Sequence, residues 1–179
     1  NLYKESQEVD LKKNFEAKTV LLEKITKLLA SENVKDLERT IKVFRNEWEA
    51  TGAVPQDKWF AMREEFKNLN EQVNKKIQGL YGEKKEQLQQ NLEFKKQLIE
   101  KAKKLIHGTS PQTEKEWEQK TKALLEIQNE YKEAGHTDKQ AGDEVWKIFR
   151  EVCDSFFDKK KEFYEEAKER YTQEKQKKL

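Results

Sequence analysis

The chain predicts an all-α fold: tandem three-helix-bundle repeats joined by a long shared helix into an elongated rod. Three observations predict it. Charged residues make up 40% of the 179 positions, against about 25% in an ordinary globular domain. Nine Phe, five Tyr and four Trp are spaced among them, which is too aromatic for a disordered chain. Only six Gly and two Pro interrupt the sequence, too few for the turns of an α/β enzyme, while apolar residues recur at helical spacing. Internal repetition adds to these and by itself points to a repeat architecture.

In the first copy, Phe15, Leu22, Ile25 and Leu29 mark one helix, with Leu21 and Leu28 beside them. Leu37, Ile41, Phe44 and Trp48 follow an i, i+4, i+7, i+11 pattern and mark a second. Gly52 reads as its C-terminal glycine. A third helix follows Pro55-Gln56-Asp57, with Asp57 as N-cap. Its stripe is Met62, Phe66, Leu69, Val73, Ile77 and Leu80. Between Asp57 and Ile106 the only breakers are Gly79 and Gly82, each costing about 0.8–1 kcal/mol in a helix interior. Residues 57–106 are therefore expected as one helix, about 75 Å long at 1.5 Å per residue. Two helices joined at Gly79–Gly82 is the competing reading.

The second copy repeats the pattern. Residues 14–29 match 91–106 at an offset of 77, and residues 34–81 match 117–164 at an offset of 83 without a gap. The jump falls in the longer segment His107-Gly108-Thr109-Ser110-Pro111-Gln112, as a surface loop permits. Thr113-Glu114-Lys115-Glu116 fits a capping box ahead of Trp117. The last stripe is Val145, Phe149, Val152, Phe156 and Phe163, with Lys160 at an apolar position where its stem can lie along the stripe. The expected organisation is residues 1–13 as the end of a preceding repeat, 14–82 as the first unit, 83–164 as the second, and 165–179 as a helical tail toward another. That phasing is expected of a fragment of a longer repeat chain.

The segment Glu130-Tyr131-Lys132-Glu133-Ala134-Gly135, followed by Glu144-Val145-Trp146-Lys147-Ile148-Phe149-Arg150 and Cys153-Asp154-Ser155-Phe156-Phe157, resembles the bacterial repeat family catalogued as domain of unknown function 349. Its pattern is an aromatic residue before a glycine, a short polar loop, Trp-x-x-Phe-Arg and a Phe-Phe pair. The first copy keeps Trp48, Gly52, Pro55 and Phe66-Lys67 but has Arg63 at the tryptophan position and Val73-Asn74 in place of the pair. The resemblance implies a cytoplasmic bacterial protein with several such units and no established activity.

Charge and motifs exclude several chemistries. Basic and acidic residues number 37 and 35, and both halves are balanced, so neither is a basic nucleic-acid module. No apolar run approaches the roughly 20 residues of a membrane span. Cys153 stands alone and permits no internal disulfide. Without a basic neighbour to activate it, it reads as a half-buried structural thiol. The run Gly79-Leu80-Tyr81-Gly82-Glu83-Lys84-Lys85 lacks phosphate-loop spacing. His107 and His136 are separated, both in expected loops, and specify no metal. Glu–Lys neighbours such as Glu23–Lys27 are surface pairs of a few tenths of a kcal/mol.

No catalytic, cofactor or metal residue is assigned, and no cofactor is expected. Trp48, Trp117 and Trp146 are expected to pack in or at the ends of the bundles. Trp59 aligns with Gly142, outside the repeated core, and is the candidate exposed contact. Lys101, Lys104, Lys159, Lys160 and Lys161 are the candidate basic contacts. The expected role is a non-catalytic scaffold that binds another protein, with no membrane association. The alternative is binding of RNA, ribosomes or DNA through lysine-bearing faces. Long striped helices also allow pairing between copies.

Overall fold

The computed structural model describes residues 1–108 and 110–178. Thr109, in the expected long loop, and Leu179, at the end of the expected tail, lie outside the described residues. The fold is all-α: α1 (Leu2–Leu28), α2 (Val34–Ala50), α3 (Gln56–His107), α4 (Glu114–Glu133) and α5 (Lys139–Lys177), with no strand among the described residues. α3 runs unbroken through Gly79 and Gly82, which decides between the two readings of that segment. The chain divides into two compact units, Asn1–Lys84 and Lys85–Leu179.

In the first unit, Leu22 and Ile25 of α1, Ile41 of α2, and Met62, Leu69 and Val73 of α3 form one core, with Val54 of the α2–α3 loop. The stripes read from the sequence supply the helical ones, while Val54 belongs to no stripe. Phe15, Phe44, Trp48, Phe66 and Ile77 pack around them. In the second unit, Leu92, Leu98, Ile99 and Ala102 of α3 meet Trp117, Leu124, Ile127 and Tyr131 of α4 and Val145, Phe149, Cys153 and Phe156 of α5. Cys153 is 6% exposed, more deeply placed than a residue beside the stripe. Each buried aliphatic or phenyl side chain contributes about 1.5–3 kcal/mol. Ion pairs among the described residues are exposed i, i+3 or i, i+4 neighbours apart from Lys76–Glu32, and such pairs contribute a few tenths each. The stripes hold the bundles, and the abundant charge solvates them.

The helix ends show where local chemistry departs from the sequence reading. α3 begins one residue before Asp57, because Lys58 and Trp59 donate their backbone N–H groups to Pro55 O at 2.9 and 3.1 Å. Pro55 has no N–H to satisfy, which suits the position before a helix; Asp57 sits in the first turn. α2 is closed by Thr51 in extended conformation, and no glycine has positive φ. Gly52 is therefore not a left-handed cap. Thr113 accepts from Glu116 N as expected, while the Glu116 carboxylate reaches back to Gln112 N at 2.7 Å, one residue earlier than the standard capping box. His107 closes α3 rather than lying in a loop. Two helix C-termini are met by lysines of other helices: Lys76 Nζ donates to Leu29 O, and Lys120 Nζ donates to Leu105 O at 3.0 Å. An ammonium there suits the dipole.

Candidate functional site

The loops after α2 and α4 carry the same construction. In the first unit, Asn14 of α1 donates its Nδ2 to Ala53 O at 2.8 Å. In the second, Asn91 of α3 donates to His136 O at 2.8 Å. Asn14 and Asn91 are related by the first repeat offset, and Ala53 and His136 by the second. A Cβ on Gly52 would lie 2.8 Å from Asn14 Nδ2, and one on Gly135 would lie 2.7 Å from Asn91 Nδ2. The glycines are there to let a carboxamide from the preceding helix latch the loop.

One turn further along the latching helix sits a lysine. Lys18 Nζ lies 4.6 Å from the Trp48 ring centroid, and Lys95 Nζ lies 5.1 Å from that of Tyr131. Each ring is also stacked on a phenyl: Trp48 on Phe66 at 4.1 Å, Tyr131 on Phe149 at 4.4 Å. Both lysines and both ring pairs are equivalent under the repeat. A cation over a ring face is attracted by its quadrupole. Burial lowers the pKa of the Lys18 ammonium from its ordinary value. Burial likewise raises that of Tyr131, whose hydroxyl, like Trp117 Nε1, is buried without a hydrogen-bond partner.

A surface cleft opens beside each ring pair. In the first unit it has a volume of about 370 Å³ and is lined by Lys18, Trp48, Val54, Trp59, Met62, Arg63 and Phe66. In the second it is about 540 Å³, with Lys95, Tyr131, Lys132, Lys139, Asp143 and Trp146 in its walls together with the Gly135-His136-Thr137 loop. Each presents one tryptophan: Trp59 and Trp146 are both 49% exposed. The exposed position of Trp146 corrects the expectation that it packs like Trp48 and Trp117. It aligns with Arg63, one residue past the stripe position Val145, and only rests against Phe149 and Tyr131. The indole has moved one helical turn between the copies. A Cβ at Gly142, the equivalent of Trp59, would collide with Thr137 Oγ1, so a side chain there requires that hydroxyl to turn away.

Trp59 stands at the rim of the first cleft with the Arg63 guanidinium 5.2 Å from its ring centroid. Lys101, Lys104, Lys159 and Lys161 are exposed, and Lys160 is half-buried with its Nζ 5.8 Å from the Tyr164 ring centroid. None of these five lysines lines either cleft. They belong to the second unit and Trp59 to the first. The sequence reading misses the lysines that do line the clefts, although the shared offset of Lys18 and Lys95 is there to find. The burial-raised Cys153 thiol fits a structural residue. No cluster that could hold a metal occurs among the described residues, and no described helix is long and apolar enough to cross a membrane.

A unit of helices repeated with its latch, its capped ring and its loop defines an all-α tandem-repeat protein. The chain belongs to the family described as Domain of Unknown Function (DUF349), which matches residues 1–57 and again residues 61–140. Each match contains one complete latch and its lysine–ring pair, whereas Trp59 and Trp146 fall outside the matched ranges. No curated protein and no solved structure matches the chain.

Proposed function

We propose that the chain is a non-catalytic helical-repeat scaffold that binds another protein through the clefts beside its α2–α3 and α4–α5 loops. The observation that carries this reading is the recurrence of one latched, lysine-capped ring pair in both units, each holding a half-exposed indole at its rim. A tryptophan kept out of the core on a rigid frame costs solubility and contributes little to folding. Such residues are characteristic anchors of protein interfaces. The reading assigns no catalytic residue and no cofactor. In keeping with the family resemblance, it takes the protein to be bacterial and cytoplasmic.

Affinity capture tests it. The full chain and its Trp59→Ala/Trp146→Ala variant are each immobilised and exposed to a bacterial extract, with and without nuclease treatment. The expected result is a stoichiometric protein retained from both extracts by the first and lost by the second, with helicity unchanged by circular dichroism. Identical retention by both chains overturns the assignment of the clefts. Retention that disappears on nuclease treatment overturns the protein-binding reading in favour of nucleic acid.

A further inference from the structure

The cleft walls carry a charge pattern that the whole chain does not. Overall the protein is nearly neutral, at +2. Around Trp146, however, stand Lys95, Lys132 and Lys139 with Asp143 as the only acid. Around Trp59 stand Lys18 and Arg63 with no acid among the lining residues. Among the described residues none of these five cations is in an ion pair. In a chain with 35 carboxylates, two equivalent clefts have charged walls made almost entirely of unpaired cations.

We infer that each cleft takes a short acidic segment of a partner protein, with one large apolar side chain against the exposed indole and carboxylates on the flanking lysines and arginine. This rests on the protein-binding reading above and adds the chemistry of the partner. Complementary charge supplies register and selectivity, and the indole supplies the anchor. Geometry favours a peptide over single-stranded nucleic acid, which stacks successive bases on a row of open rings. Here Trp48 and Tyr131 are already stacked on phenyl rings and carry an ammonium against them. Each cleft therefore offers only one outward ring.

Fluorescence anisotropy with the full chain tests this. The probes are a labelled peptide of Asp and Glu around a central Phe, its Asn and Gln counterpart, and a labelled oligouridine of matching length. The acidic peptide is expected to bind, with affinity falling as salt rises. Its neutral counterpart is expected to bind at least about tenfold more weakly, as is the acidic peptide to a Lys132→Gln/Lys139→Gln/Arg63→Gln variant. These three residues make none of the core contacts, so the variant is expected to keep its helicity. Equal binding of both peptides overturns the acidic assignment and leaves the protein-binding reading standing. Tighter binding of oligouridine than of either peptide overturns both. No binding of the acidic peptide at low salt overturns the inference alone, and the capture experiment then decides the broader reading.

Discussion

Replacing Gly135 with alanine sets two effects of similar size against each other, and the latch decides between them. Gly135 does not have positive φ, so alanine fits the backbone. The loss of glycine freedom in the unfolded chain then favours the variant by about 0.4–1 kcal/mol. The added Cβ would sit 2.7 Å from Asn91 Nδ2, and the carboxamide must swing away from His136 O. That gives up a hydrogen bond of about 0.5–1.5 kcal/mol. The single variant should therefore stay close to wild type or lose a few tenths of a kcal/mol. Asn91→Ala alone should cost about 1 kcal/mol. In that background no carboxamide opposes the new methyl, so Gly135→Ala should now stabilise by about 0.4–1 kcal/mol. The cycle is thus non-additive by about 1 kcal/mol. Native-state hydrogen exchange of α4 and α5 amides reports this for the second unit. Additive single effects, or a Gly135→Ala cost unchanged by removing Asn91, would refute the latch. The Asn14–Gly52 pair should behave alike.

A methyl added at Gly79 or Gly82 would meet nothing within 4 Å, so Gly79→Ala and Gly82→Ala should each stabilise α3 by about 0.8–1 kcal/mol; a lowered thermal midpoint would contradict this. Tyr131→Phe removes a buried hydroxyl without a partner and should raise stability by about 1 kcal/mol in urea unfolding, whereas a loss of stability would reveal a partner for that hydroxyl. Burial raises both the Cys153 thiol and the Tyr131 phenol above their ordinary values of 9.0 and 10.0, so the folded state keeps protons that the unfolded chain releases. Their contribution to stability should fall as pH rises above about 9, opposed by Lys18, whose lowered pKa makes the folded state release a proton that the unfolded chain keeps; relative to wild type, Cys153→Ala should make the decline shallower, and a steeper decline in the variant would reverse the sign of this argument. The same burial should make Cys153 react with aromatic disulfide reagents far more slowly in the native chain than in urea.

The core is legible in the sequence because it depends on period. Leu22, Ile25, Ile41, Val73, Leu124 and Phe156 lie where helical stripes place them, and most of their stabilisation is non-directional burial. The ends of helices are less legible. Asp57 has cap chemistry, but the competing Pro55 carbonyl starts the helix earlier, and a single sequence does not rank the two. Gly52 suggests the commonest use of a glycine after a helix, while its actual role depends on a residue far away in sequence. The clefts are hidden for a related reason. The apolar positions draw attention to the repeat, yet the recurring Asn and Lys of Asn14-x-x-x-Lys18 and Asn91-x-x-x-Lys95 carry the site. Trp146 lies one residue off the stripe, about 100° around the helix, which is enough to turn an expected packing residue outward.

The latch also explains where the two copies differ in length. Each middle helix has a connection at either end. The one leading out of it is tied by an asparagine carboxamide, and through it the two copies align without insertion or deletion. The one leading into it is met in the first copy by the long stem of Lys76, which donates to Leu29 O and pairs with Glu32, and there the second copy is longer by the whole difference between the offsets. A short carboxamide on another helix sets the contour length of one connection, whereas a lysine on a long flexible stem lets the other take up added residues. A peptide tag or reporter inserted between Ala30 and Asn33 should thus be accommodated as a lengthened loop, whereas the same insert between Gly52 and Pro55 would part the carbonyl from its asparagine and dismantle the cleft with it.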